Sequence, residues 1–406
     1  MGVGRGRPGL GPPPTSSAMT ESRLPRRPDR NSPGWVFWAV LLALIVVGAA
    51  FAIHAVGTPS PSVTPPPGTA CPGTPLTSLV GSRTPMGSDG RPGPLYAGPS
   101  PRWGPMMAYD PTDGYVLLFG GSSGGNETWA YQSGHWTELH PKTSPPPRSF
   151  GNLVYDPAAG YLLLFGGQTG GPGTARTLND TWTYAHGNWT NVTPAHSPSS
   201  RHWASMAYDS GDQEVVLFGG AHNNSQQYLG DTWTYAHGVW TEVSPALSPT
   251  PRYGAVLVND PRDGDLVLYG GETDAVPGGY YANDTWIYED QNWTELPTED
   301  TPPGRLWDSA SFDCASDAVV VFGGQANHYK SYNSTQSATW AFEGGVWTNL
   351  TGSSPAPPAR FGAGCAYDPS SGSLILFGGL NATVVGATVL SDTWAYVPGH
   401  WTEILA

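Results

Sequence analysis

The feature that most restricts this chain is a unit written six times. The octapeptide DTWTYAHG stands at 180–187 and again, unchanged, at 231–238. Each copy opens on an arginine (Arg102, Arg148, Arg201, Arg252, Arg305, Arg360). It reaches an aspartate eight residues later (Asp110, Asp156, Asp209, Asp260, Asp313, Asp368) and a Gly-Gly pair at eighteen and nineteen. A tryptophan follows (Trp129, Trp182, Trp233, Trp286, Trp340, Trp394), and a second stands seven residues after it (Trp136, Trp189, Trp240, Trp293, Trp347, Trp401). Self-similarity at a period of about 50 residues means one supersecondary unit per copy, stacked on its own kind.

Each copy reads as four strands. The run from Arg to Asp is rich in small residues, as in Gly362-Ala363-Gly364. The next is apolar at every position, as in Val215-Val216-Leu217-Phe218, the pattern of a strand covered on both faces. In copies one, two, four and six Asp-Pro-x-x-Gly predicts a tight turn between them: Asp caps it, Pro presets φ and Gly takes a left-handed position. The third run alternates, with Asp231, Trp233 and Tyr235 on one face and Thr232 and Thr234 on the other. A Gly two positions before the second Trp closes another turn in five copies, and Gln291 replaces it in the fourth. A sheet with two apolar faces needs a neighbour on each side, so the copies must pack around an axis with the small residues of the first strand at its crowded centre.

The double glycine ending the second strand, the aromatic residue in the third and the Trp before the fourth resemble the kelch repeat, and the resemblance covers residues 102–404. It implies an all-β fold, a six-bladed β-propeller of four-stranded kelch-like blades similar to the central domain of galactose oxidase. The blades would lie at about 102–147, 148–200, 201–251, 252–304, 305–359 and 360–406. Because strand one opens the first copy and strand four ends the last, the ring is expected to close without exchanging a strand. For function the resemblance is less specific, since kelch propellers include adhesion and protein-binding modules, a copper oxidase and isomerases.

The rest of the chain indicates where such a body would sit. Residues 1–34 form a basic, disordered tail whose first 30 carry six Arg against Glu21 and Asp29, whereas the remainder is net −18 in a chain of net charge −14. Trp35 to Val56 is 22 residues without a charge, matching the ~20 a helix needs to cross a bilayer. A cleavable signal peptide ending near Ala50-Phe51-Ala52 competes with this reading, but its apolar region would be only ~7 to 15 residues long. Arg23, Arg26, Arg27 and Arg30 precede the run and no Lys or Arg follows until Arg83, so the N-terminus is expected in the cytoplasm and the propeller outside the cell, on a single-pass anchor. Residues 57–101, with twelve prolines, read as a semi-rigid linker.

Ten of the fourteen Asn after residue 101 head N-x-Ser/Thr sequons: Asn126, Asn179, Asn188, Asn191, Asn223, Asn283, Asn292, Asn333, Asn349 and Asn381. That fits an exterior glycoprotein, although the repeat letters NDTW and NWT spell some of them without glycosylation. Two Lys in the whole chain leave no basic patch for nucleic acid. Cys314 and Cys365 sit on the first strands of neighbouring copies but four positions out of register, too far for a bridge, so either they are free buried thiols or Cys71 latches to one of them.

Length variation points to the candidate site. From the second Gly to the first Trp the counts are 8, 15, 13, 15, 16 and 15, whereas from the second Trp to the next Arg they are 12 four times and 13 once. In a propeller these variable loops and the starts of the first strands share one face, where binding usually resides. Tyr228, Tyr280, Tyr281, Tyr329 and Tyr332 lie on those loops and suit stacking against a sugar or a protein. One or two positions after each Arg stands an aromatic (Trp103, Phe150, Trp203, Tyr253, Trp307, Phe361), expected to ring the channel mouth beside six arginines. Those arginines either face an anionic ligand there or pair with Asp180, Asp231, Asp284 and Asp392.

Asp308 is a carboxylate where the other copies have Pro105, Gly151, Ala204, Ala255 and Ala363, and His202 beside Trp203 is a second irregularity. No zinc, copper, nucleotide or calcium motif is present, so no metal or cofactor is expected. The functional expectation is a cell-surface binding or adhesion module for an extracellular protein or glycan. The alternatives are a tethered carbohydrate-active enzyme with Asp308 and His202 as acid and base, or a purely structural envelope protein.

Overall fold

Each repeat folds into one four-stranded antiparallel sheet whose strands pair in chain order. A computed structural model describes residues 98–404 apart from 123–124, 171–173, 223–227, 275–279, 327–334, 353–354 and 384–385. The expected tail, the membrane span and the linker as far as residue 97, together with Cys71, Tyr329, Tyr332, Asn223 and Asn333, lie outside the described residues. Among the described residues there are six such sheets, from Met106–Asp110, Tyr115–Phe119, Thr128–Gln132 and His135–Leu139 to Gly364–Asp368, Ser373–Phe377, Thr393–Val397 and His400–Ile404. The first sheet and the last each contain four strands of their own repeat, so no strand is exchanged at the join.

The second strands are apolar at every position because both their faces are covered: Val116, Leu117, Leu118 and Phe119 have no exposed surface. Each face belongs to a different seam. Leu163 and Phe165 of one sheet pack on Val215, Leu217 and Trp240 of the next, and the seam between the first and last sheets joins Val116, Leu118 and Trp136 to Ile375 and Phe377. Close packing of this kind ties each sheet to both its neighbours.

Three circuits of hydrogen bonds run around the axis and close. In the innermost, the N–H of Phe150 donates to Gly104 O, Trp203 to Phe150, Gly254 to Trp203, Trp307 to Gly254 and Gly362 to Trp307, and Gly104 completes the circle by donating to Gly362 O at 2.7 Å. In the second, the N–H of the second Gly of each pair donates to the carbonyl of the next repeat's Arg, ending with Gly379 to Arg102 O at 2.9 Å. In the third, the second Trp of each repeat donates its indole N–H to the Thr before the first Trp of the preceding one, and Trp136 to Thr393 Oγ1 at 2.9 Å closes it. These contacts also account for the double glycine. A Cβ on Gly378 would stand 2.5 Å from Arg102 O and one on Gly219 2.6 Å from Arg252 O, and both residues have φ near +70°, where a side chain is strained.

Two turn expectations are modified. Where the Asp-Pro-x-x-Gly pattern lapses, Gln213 and Asp317 hold the same left-handed turn position at φ 58° and 56°. The long loops are also not irregular throughout. Several fold back as short ribbons, such as Arg252–Tyr253 with Glu272–Thr273 and Tyr280–Tyr281, and Leu380–Thr383 with Gly386–Val389.

Candidate functional site

The six arginines are buried, each at 2% exposure or less. In every repeat Nη1 donates to the carbonyl of the first Gly of the pair, and Nε to the carbonyl two residues earlier. In four repeats the guanidinium also grips a carboxylate with both amino groups: Arg148 with Asp180, Arg201 with Asp231, Arg252 with Asp284 and Arg360 with Asp392, at 2.6–2.7 Å. The repeat tryptophan completes this clamp, its Nε1–H donating to the same carboxylate at 2.7 Å. Burial alone would push these four aspartates up; the arginine hydrogen bonds and charge outweigh it and hold them below the usual range. The pairing alternative of the sequence therefore describes these arginines, and they present no charge to an anion in the channel.

The first and fifth repeats depart from the clamp. In the first, Glu127 substitutes, accepting from Arg102 at 2.7 Å and from Trp129 at 3.0 Å. In the fifth, Ala338 occupies the acidic position. Among the described residues, Trp340 Nε1 is then buried without a partner, and the counter-charge to Arg305 is Asp308, 3.8 Å from Nη1. Burial pushes Asp308 up to about 7, against the pull of Arg305.

The six aromatics following the arginines do not line an open mouth; they pack on one another across the axis. Phe150 stacks on Trp203 at 4.3 Å, Trp103 meets Phe150 at 4.6 Å and Phe361 at 5.7 Å, and Trp307 meets Trp203 at 5.3 Å and Phe361 at 5.1 Å. Six bulky groups fit because they alternate in position. Phe150, Trp203 and Trp307 stand two residues after their Arg, at φ of 53° to 61°, and the other three repeats have Gly104, Gly254 and Gly362 there. A Cβ on Gly104 would strike Phe150, and one on Gly254 would strike Trp307. Bulky residues with left-handed backbone cost of order 1–3 kcal/mol each, and that strain is retained at the centre of this face.

Beside the plug lies a polar cluster built from loop ribbons. Tyr228 OH donates to Glu272 Oε1 at 2.9 Å and Tyr253 OH to Oε2 at 2.8 Å, the two rings lie 4.8 Å apart, and Tyr281 pairs with Glu272 across the ribbon. Burial, then the Glu272 charge, pushes Tyr281 up to about 12. Tyr280 is 47% exposed. No residue spacing announced Glu272 or this grouping.

Asp308 and His202 share no hydrogen bond among the described residues. Asp308 faces Arg305, and burial pushes His202 down to about 4, leaving it neutral at physiological pH. The described sequon asparagines are exposed apart from the half-buried Asn381, yet several also brace turns, as Asn191 and Asn349 do by accepting from the N–H of Thr193 and Thr351. Cys314 is disulfide-bonded and Cys365 is a free thiol, so the two do not bridge each other.

The opposite end of the axis is open, which the repeat spacing does not reveal. A cavity of about 710 Å³ enters there past Tyr109, Tyr155, Tyr208 and Tyr367, with Met107, Leu153, Met206 and Leu257 on its walls. A smaller space of about 150 Å³ lies directly beneath the aromatic plug.

Comparison with known proteins agrees with this geometry. The family model described as the KLHDC2/KLHL20/DRC7 Kelch-repeats domain matches residues 156–343. Among curated proteins, the chain is 30% identical over 144 residues to tRNA wybutosine-synthesizing protein 4 of Emericella nidulans, covering 33% of this chain and 12% of that protein. It is 26% identical over 226 residues to Tip elongation aberrant protein 1 of Schizosaccharomyces pombe, covering 52% and 18%. The chain thus spans less than a fifth of the curated relatives it matches. The solved structure of YjhT superposes with a TM-score of 0.57 at 17% identity, over 75% of this chain and 98% of that one, a likeness of fold.

Proposed function

We propose that this chain, a kelch-repeat propeller, is a six-bladed recognition module that receives a protein partner on its long-loop face, held outside the cell by a single span at Trp35–Val56. The observation that carries the reading is the tyrosine cluster around Glu272, set beside an aromatic plug on the one face where loop length varies. Rigid rings with polar tips give large contact area at low entropy cost, and the scaffold beneath them is strained but immobile. Trp103, Tyr253 and Tyr228 would form the floor, Tyr280 and Tyr281 the wall, and the exposed sequons would carry glycans around the rim.

The test uses the full chain displayed on intact cells. The propeller should be reached by protease added outside, and an extracellular protein library should yield a partner whose binding falls at least about tenfold on Tyr281→Ala combined with Tyr280→Ala, the range of an interface hot spot. Binding that survives both changes but is lost with Thr112→Arg on the opposite face would transfer the site to the open end of the channel. Binding only to a glycan array would change the partner class, and a propeller shielded from external protease would sink the orientation.

A further inference from the structure

The carboxylate clamp recurs in five repeats, and in the fifth the donors remain after the carboxylate has gone. We propose that Arg305 and Trp340 form a binding site for a small free carboxylate, which would take the place that a side-chain carboxylate fills in the other five repeats.

The chain itself supplies the template. In the third repeat Arg201 Nη1 and Nη2 reach Asp231 Oδ1 and Oδ2 at 2.7 Å each while Trp233 Nε1 reaches Oδ2 at 2.7 Å. The second, fourth and sixth repeats repeat those three bonds, and the first approximates them through Glu127. In the fifth, Arg305 is held in the same pose, with Nε on Pro303 O at 3.0 Å and Nη1 on Gly323 O at 3.1 Å. The Tyr269 hydroxyl also hydrogen-bonds this guanidinium, but no carboxylate among the described residues lies within hydrogen-bond range of it, and the buried Nε1 of Trp340 has no partner among them. Unmatched buried donors are costly and uncommon in native proteins.

Among the described residues no other carboxylate fills the position. Between Gly324 and Glu343 there is no Asp or Glu. Asp308 approaches Arg305 Nη1 only to 3.8 Å, beyond hydrogen-bond range, so it balances charge without replacing the clamp carboxylate or satisfying Trp340. The position is also open to solvent. The clamp aspartates of the sister repeats are 20% to 25% exposed, and Ala338 and Trp340 are half-buried where the other repeat tryptophans are buried. A planar acceptor two oxygens wide matches an arginine fork better than a spherical ion does, which selects a carboxylate over chloride. The ligand is then a free acid of acetate size or the carboxylate of an acidic sugar. This site does not depend on the protein partner proposed above.

The experiment follows the indole N–H resonances of the full chain labelled with 15N at tryptophan, with Trp340→Phe assigning the signal. Sodium acetate should shift the Trp340 resonance saturably in the millimolar range, sodium chloride at equal ionic strength should not, and Ala338→Asp should abolish the response by placing the carboxylate internally. Should that variant not fold, Ala338→Leu blocks the same space without an acceptor. Glucuronate forms the second arm: a response to acetate alone assigns the site to free small acids, and a response to glucuronate alone assigns it to acidic sugars. No shift with either, an equal shift with chloride, or an undiminished shift in the blocked variant overturns the proposal.

Discussion

The third and fifth repeats perform the same mechanical task with different chemistry. In the third, Arg201, Asp231 and Trp233 form a closed set in which every donor is matched and the carboxylate is held below its usual range. In the fifth, the acidic residue has left the third strand and a different carboxylate, Asp308, has appeared on the first, where burial drives it upward. The difference shows that a buried arginine in this fold keeps its place without the complete clamp, with one carboxylate no nearer than 3.8 Å. Its backbone bonds to the first Gly and to the preceding link survive in all six repeats, and those are the contacts that orient it. The carboxylate on the third strand adds strength, and where it is absent the indole donor of Trp340 is left unmatched among the described residues.

The comparison can be broken at several points. The largest effect is expected from Asp231→Ala, which leaves a buried arginine without its partner and should cost about 3 to 5 kcal/mol in denaturant unfolding. Asp308→Ala should cost less than about 1 kcal/mol, because the lost attraction is offset by no longer burying a carboxylate; similar losses in the two variants would erase the distinction. Next in size, Ala338→Asp should raise stability by about 1.5 to 3 kcal/mol, the range of hydrogen bonds to a charged group, and a neutral or destabilising result would mean the fifth repeat cannot adopt the sister geometry.

A smaller contrast comes from the indoles. Trp233→Phe and Trp340→Phe remove the same ring atoms, the first from a buried and the second from a half-buried position, so the third repeat should lose more, by about 1.5 kcal/mol for the N–H to carboxylate bond in addition to the difference in burial. Equal losses would mean that Trp340 has a partner after all. The smallest effect is on ligand affinity. Asp308 has a folded pKa raised to about 7, so it gains its proton as pH falls through that value and ceases to compete for Arg305. Acetate should then bind more tightly below pH 7 than above it, by less than about tenfold. Asp308→Asn should flatten the profile, and a pH dependence that persists in this variant would assign it to another group.

Much of the fold was legible because it is written locally. The Arg to Gly-Gly spacing, the Trp pair and the uniformly apolar second strand each specify a strand or a turn within one copy, and six copies leave a ring as the way to cover two apolar faces. The pairings of Arg148, Arg201, Arg252 and Arg360 with their aspartates were also readable, since both partners recur at constant spacing. Glu127 and Ala338 escaped that reading because each departs from the pattern that made the others visible. Trp103, Phe150, Trp203, Tyr253, Trp307 and Phe361 were recognisable as a set, but not as a plug. Whether they stand one or two residues after the arginine matters only where six copies converge and a glycine in one repeat makes room for a ring from the next.

What the amino-acid order determined alone is therefore the unit: its strands, its turns, its two apolar faces and the number of times it is made. Only the closed structure decided which end of the axis is blocked, that the loops gather tyrosines around Glu272, and that the indole donor of Trp340 faces no acceptor among the described residues. The blocked end arises between copies, where the surroundings of one residue are set by neighbours about fifty positions away, whereas the Glu272 cluster and the indole donor of Trp340 lie largely within one copy but at positions where that copy departs from its sisters, and periodicity carries no record of either.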